Sequence, residues 1–278
     1  MRSIRILPVI VVLIPTVMLT AAPIFSEEND TSLVQGAIAN SSFEWKSHVN
    51  YRVHLFYQPD SFAEKHRAVL LRSAANAIEE ALQFLGEPEY TRVLNVFYVE
   101  TRGEMEQLIG QPVSGYADWT GSGIFLVCNP EWRSFDTHEI THVLSMSLWD
   151  YPAPSSQWMI EGISIATDGW CREYSIDELA YDLLNRDELP GLETFFTNYQ
   201  SFGEVRAGVY AASIIGYFQE IHGPEVVKKL WIGGSDELTK LLGFNAEQIE
   251  TSWRSYLESK IQSEVEIDWE TIDELGCG

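Results

Sequence analysis

The chain has 278 residues, with 41 Asp and Glu against 18 Lys and Arg, and a formal net charge of −23. So acidic a chain excludes nucleic acid as a partner, because phosphate binding needs clustered Lys and Arg. The charge favours solubility and gives a weak preference for basic over acidic peptides. Residues 1–22 join Arg2 and Arg5 to an apolar run from Ile6 to Leu19, followed by Ala21 and Ala22. This is the pattern of a secretory signal. The other reading is an uncleaved membrane anchor, but Pro8 and Pro15 interrupt the run, and a spanning helix needs about 20 apolar residues. Both readings place the remainder outside the cytoplasm, secreted or periplasmic, with membrane contact only through that segment. The segment holds two arginines and no acids, so its removal takes the net charge from −23 to −25.

Residues 23–46 are small and polar and read as a linker, with order expected from about Val49. Tyr51, Val53, Leu55 and Tyr57 alternate as in a half-buried strand. A helix is predicted over 62–85, stopped by Gly86, then a strand over 92–99 and a short helix over 101–109. Residues 115–117 and 123–128 fit a hairpin or consecutive strands. A helix over 132–148 and a second over 157–170 flank the break at Tyr151-Pro152-Ala153-Pro154. Helical patterns then cover 176–184, 192–197, 205–221, 224–231, 235–242 and 246–261, and an acidic tail, 263–278, is expected to be loosely attached. Strands first and helices afterwards predict an α+β fold, a small mixed sheet followed by a mainly helical C-terminal subdomain. The catalytic domain spans 47–262 on this reading.

Cys128, Cys171 and Cys277 are too few for a disulfide scaffold, and one bridge plus one thiol suits an exported chain. Cys128 and Cys171 flank the two central helices and are the preferred pair. Asn29-Asp30-Thr31 and Asn40-Ser41-Ser42 are formal glycosylation sequons.

The chemistry concentrates in His138-Glu139-Ile140-Thr141-His142. Residues i and i+4 share one face of a helix, so both imidazoles can reach one metal ion, and Glu139 stands beside them as a base. A catalytic zinc needs three protein ligands and an open position. Glu161, after 18 intervening residues, lies on the next predicted helix and can complete a His/His/Glu set. Asp168 follows Glu161 by seven residues, close to two turns, and projects in nearly the same direction. It is the candidate to accept the outer N–H of His138 or His142.

The two histidines, the Glu after 18 intervening residues and Trp158-Met159-Ile160-Glu161-Gly162 resemble the gluzincin metallopeptidases, most closely the stand-alone peptidase MA-like catalytic domain. Softer similarities run through Leu189-Pro190-Gly191-Leu192-Glu193, Tyr210-Ala211-Ala212-Ser213, Tyr217, His222-Gly223 and Trp253-Arg254-Ser255-Tyr256-Leu257. The resemblance spans roughly residues 48–260. It implies a gluzincin-type zincin fold, one catalytic zinc held by His138, His142 and Glu161, and Glu139 as general base. It also implies an oxyanion donor from a later helix, a place matched by Tyr210, with Tyr199 or Tyr217 as substitutes. The Gly-x-Met-Glu-Asn segment that captures a free amine in the related aminopeptidases is absent. Gly115 to Trp119 lies where the substrate-facing edge strand should be, and such a strand binds extended peptide by strand addition. That favours an exported zinc endopeptidase acting on peptide or protein over a strict aminopeptidase. Two alternatives stand beside it: a zinc-folded, non-catalytic peptide-binding module, and a zinc hydrolase of another amide or ester. The sequence leaves the oligomeric state open.

Overall fold

The computed structural model describes residues 33–50, 52–118, 123–131, 136–263 and 265–277. The apolar segment 1–22, the sequon at Asn29 and the first turn expected for the motif helix, 132–135, lie outside the described residues. The elements run in order α1 (Leu33–Ala39), β1 (Lys46–Val49), β2 (Val53–Tyr57), α2 (Phe62–Leu85), β3 (Leu94–Val99), α3 (Arg102–Ile109), β4 (Gly115–Ala117), β5 (Gly123–Val127) and α4 (Asp136–Trp149). Then come α5 (Trp158–Asp168), β6 (Trp170–Cys171), β7 (Tyr174–Ser175), α6 (Ile176–Asn185), α7 (Leu192–Asn198), α8 (Glu204–His222), α9 (Pro224–Gly233), α10 (Leu238–Leu242), α11 (Ala246–Lys260) and α12 (Trp269–Leu275). Among the described residues no helix is long and apolar enough to cross a membrane.

The α+β class follows directly. A five-stranded mixed sheet, in the order β1-β2-β3-β5-β4, carries the first half of the chain, and helices dominate the second. β2, β3 and β5 are parallel, while β1 and β4 run antiparallel at the two edges. The three inner strands are apolar almost throughout because helices cover both faces. Val53, Leu55, Val96, Tyr98, Ile124 and Leu126 belong to the main core with α2 and α4. The opposite face is aromatic: Phe56 stacks on Phe97 at 4.4 Å and Phe97 on Phe125 at 4.9 Å, all three in register across the strands. The half-buried alternation expected of β2 is thereby corrected, since Phe56 is buried as well.

The aromatic face also explains why the described part of the expected linker, 33–46, is ordered. Val34, Ala37 and Phe43 pack onto it with Met105 of α3, and Trp45 sits edge-on to Phe97. Residues 33–46 therefore belong to the folded body. The same correction applies to the acidic tail. Ile267, Trp269 and Ile272 are buried in the main core, Trp269 Nε1 donates to Asp182 at 2.6 Å, and Arg206 forms a two-pronged ion pair with Asp273.

A third correction concerns the cysteines. Cys171 is bridged to Cys277, 106 residues away, and Cys128 is a free thiol. Cys128 follows β5 directly and is buried in the core, where burial, with Asp136 and Glu100 adding to it, pushes the thiol up to about 12. Proximity to the motif helices in sequence was therefore a poor guide to the bridge.

Candidate metal centre

α4 presents His138 and His142 from successive turns, with their Nε2 atoms 3.0 Å apart and ring planes at 85°. α5 brings up the third group. Glu161 Oε2 lies 3.3 Å from His138 Nε2, and Oε1 lies 3.6 Å from His142 Nε2. Ligand atoms bound to one tetrahedral zinc at about 2.0–2.1 Å stand about 3.3 Å from one another, close to the 3.0 Å between the two Nε2 atoms and the 3.3 Å from His138 Nε2 to Glu161 Oε2. The donor set, two imidazole nitrogens and one carboxylate oxygen, is one that zinc accepts. The residues present therefore fit a zinc ion. Among the described residues this is the group of His, Cys, Asp and Glu side chains placed to hold a metal.

The turn between α4 and α5 sets the angle that makes this possible. Asp150 takes a positive φ of 63°, and the following segment is fastened to α9. Trp231 Nε1 donates to Asp150 O at 2.7 Å, Ala153 N to Trp231 O at 2.8 Å, and Ser156 Oγ to Leu230 O at 2.6 Å. Trp158, the first residue of α5, is fully buried and donates to Ser235 Oγ at 2.8 Å. On its far side α5 packs against α8 at Gly162, where a Cβ would fall 3.0 Å from Ala211 Cβ. The glycine after the third ligand is thus a contact point between helices.

Glu139 is buried and faces the same cavity, against the edge strand β4. A Cβ on Gly115 would overlap its carboxylate, with Cδ at 3.0 Å and Cγ at 3.1 Å. Burial pushes the Glu139 carboxyl up to about 7; His138 opposes that rise and the Glu161 charge adds to it. Burial acts on Glu161 in the same direction, but its hydrogen bonds with His138 and His142 outweigh it and hold this carboxyl well below the usual range. Two neighbouring carboxyls are therefore driven apart, one toward the proton and one toward the charge. At the start of α4, Tyr98 donates to Asp136 at 3.0 Å and fixes the helix on β3.

The outer nitrogen of His142 is served by a residue the spacing argument missed. Ser164 Oγ lies 3.0 Å from His142 Nδ1. A metal on Nε2 would leave the Nδ1–H to donate to this hydroxyl, which would fix tautomer and ring orientation. Ser164 is one turn beyond Glu161, which is the only signal the sequence offered. Asp168 lines the cavity with Glu161, as the seven-residue spacing predicts, and at His142 Nδ1 the structure also places Ser164.

The tyrosine expectation changes too. Tyr210 donates its hydroxyl to Pro190 O at 3.1 Å, packs between Phe195 and Trp253, and does not line the cavity. Its place in the sequence pattern is explained by core packing of α8 against α7 and α11. Tyr217 packs on Tyr256 and His222. Tyr199 packs edge-on to Phe195 and does not line the cavity either; burial raises its hydroxyl, and the Glu161 charge raises it further.

The cavity holds about 420 Å³ and is lined by residues 112–115 leading into β4, by His138, Glu139 and Glu161, and by one face each of α5 and α8. That volume is within the range of small-molecule and peptide side-chain pockets. Among the described residues β4 is the last strand of the sheet, so no further strand lies along its outer edge. No family model matches the chain, and no curated protein matches it.

Proposed function

We propose that this protein is an exported zinc peptidase of the gluzincin type, built on a zincin fold and cleaving peptide bonds by general-base hydrolysis. The observation that carries the reading is the convergence of His138, His142 and Glu161, with donor atoms all within 4.8 Å of one another and Glu139 facing the same cavity. A zinc held there would supply Lewis acidity to the scissile carbonyl and acidify a water beside it.

The chain's own residues do the rest. Glu139 accepts a proton from the attacking water as the new C–O bond forms, then delivers it to the leaving amine as the C–N bond breaks. Buried and facing the cavity beside the three converging side chains, the Glu139 carboxyl is placed for both halves of that exchange. Ser164 keeps the His142 ring in its ligand orientation. The outer edge of β4 offers backbone donors and acceptors to an extended peptide, which supports cleavage within a chain over strict removal of terminal residues.

Zinc content and peptide hydrolysis measured together test the reading. The purified chain is expected to hold one zinc, to cleave peptides in an unbiased library, to lose both on chelation and to regain both with added zinc. Zinc and peptide binding without cleavage would favour a non-catalytic binding module. Cleavage confined to small esters or other amides would redirect the substrate.

A further inference from the structure

The cavity continues beyond the three ligand positions. α5 carries its lining from Glu161 through Ile165 to Asp168, about 10 Å of helix at 1.5 Å per residue. Val205 and Val209, one turn apart on α8, face it. Gly208 lets them approach, because a Cβ there would fall 2.7 Å from Ile165 Cδ1. Past the end of α5 the lining is Trp170 and Cys277. Trp170 is 58% exposed, although it is among the largest apolar side chains of the molecule. It also lines a second cavity on its other side, so the indole stands as a partition between the two.

This wall is held covalently. Trp170 and Cys171 form β6, which pairs with β7, and Cys171 is bridged to Cys277. Arg172 clamps the same segment, Nε to Gly276 O at 2.8 Å and N to Cys277 O at 3.1 Å. Segment 265–277 is thus docked by α12 on one side and by the bridge on the other, with Gly276 and Cys277 turned to the cavity.

We propose that this end of the cavity is a specificity subsite for a bulky apolar side chain of the peptide substrate, with Trp170 as its platform and the Cys171–Cys277 bridge holding its wall. The inference rests on the peptidase reading for the identity of the ligand. Asp168 and Glu204 line the cavity toward α5 and α8, while Arg102 in its lining bonds Ser114 beside β4, so the end away from β4 selects against acidic residues. An extended peptide rises about 3.3 Å per residue, so the recognised side chain lies within about three residues of the scissile bond.

Binding by the zinc-loaded Glu139→Gln chain tests the subsite without requiring turnover. Isothermal titration would use peptides identical except for Phe, Ala or Asp at one scanned position. Phe is expected to exceed Asp by about tenfold or more at one position. Trp170→Ala should remove most of that preference. Replacing both cysteines by Ser should reduce it to about threefold or less with zinc still stoichiometric. Because Trp170 is exposed, its variant reports on the subsite even if loss of the bridge unfolds the chain. A Phe preference unchanged in the Trp170→Ala variant, or no preference at any position, overturns the subsite. Phe-selective binding with a wild-type chain that hydrolyses no peptide sinks the peptidase reading and leaves the subsite standing.

Discussion

Ser164 and Gly115 are the residues through which the structure adds most to the candidate metal site. Removing the hydroxyl that meets His142 Nδ1 frees the ring to rotate. Ser164→Ala should weaken zinc affinity about 10- to 100-fold, read by competition with a chelator of known affinity. Gly115 leaves no room for a side chain beside the Glu139 carboxylate. Gly115→Ala should therefore displace the base, and peptide hydrolysis should fall while zinc content stays at one per chain. Tyr210→Phe should lower thermal stability, with far less effect on kcat in the folded fraction. At this scale the ligands were legible because imidazoles at i and i+4 followed by a carboxylate after 18 residues form a rare pattern. Ser164 and Gly115 were not, since a helical serine and a strand glycine acquire meaning only from what packs on them.

Most helices could be read from their caps and period. Ser61 caps α2 by accepting from Glu64 N at 3.1 Å, and Gly86 ends it in the left-handed region. Thr101 and Gly110 do the same for α3. The segments that escaped, α1, α12 and the β6–β7 hairpin, have at most seven residues each, too few to display a period. Their order comes from distant partners. One such long-range tie carries a pH signature. Lys228 of α9 and Trp149 of α4, the latter at 2.9 Å, both donate to Glu87 just past α2. The Lys228 hydrogen bond outweighs burial, and with Trp149 holds the Glu87 carboxyl below the usual range. A depressed folded value gives stability that is present above the ordinary glutamate value of about 4.3 and lost as pH falls through the folded one. Glu87→Gln should melt below wild type at neutral pH, and the two melting curves should converge in acid.

For the whole molecule, the bridge between Cys171 and Cys277 is a covalent constraint across 106 residues. Chain entropy assigns a loop of that size about 4–5 kcal/mol, with about 2–4 kcal/mol usual in practice. Ser at both cysteines should thus lower the melting temperature by about 5–15 °C in a chain of this length. The α+β class was visible in the order of strands and helices. The reach of the fold, from α1 under the sheet to α12 on the helical half, was not, because buried aromatics and a distant disulfide decide it. The central claim is that Glu139 moves the proton at a site where His138, His142 and Glu161 hold the metal. Glu139→Gln tests it most directly, with zinc content and peptide hydrolysis measured on the same sample. Zinc should remain at one per chain while kcat falls about 10²- to 10⁴-fold; hydrolysis persisting at the wild-type rate in a zinc-replete variant would contradict it.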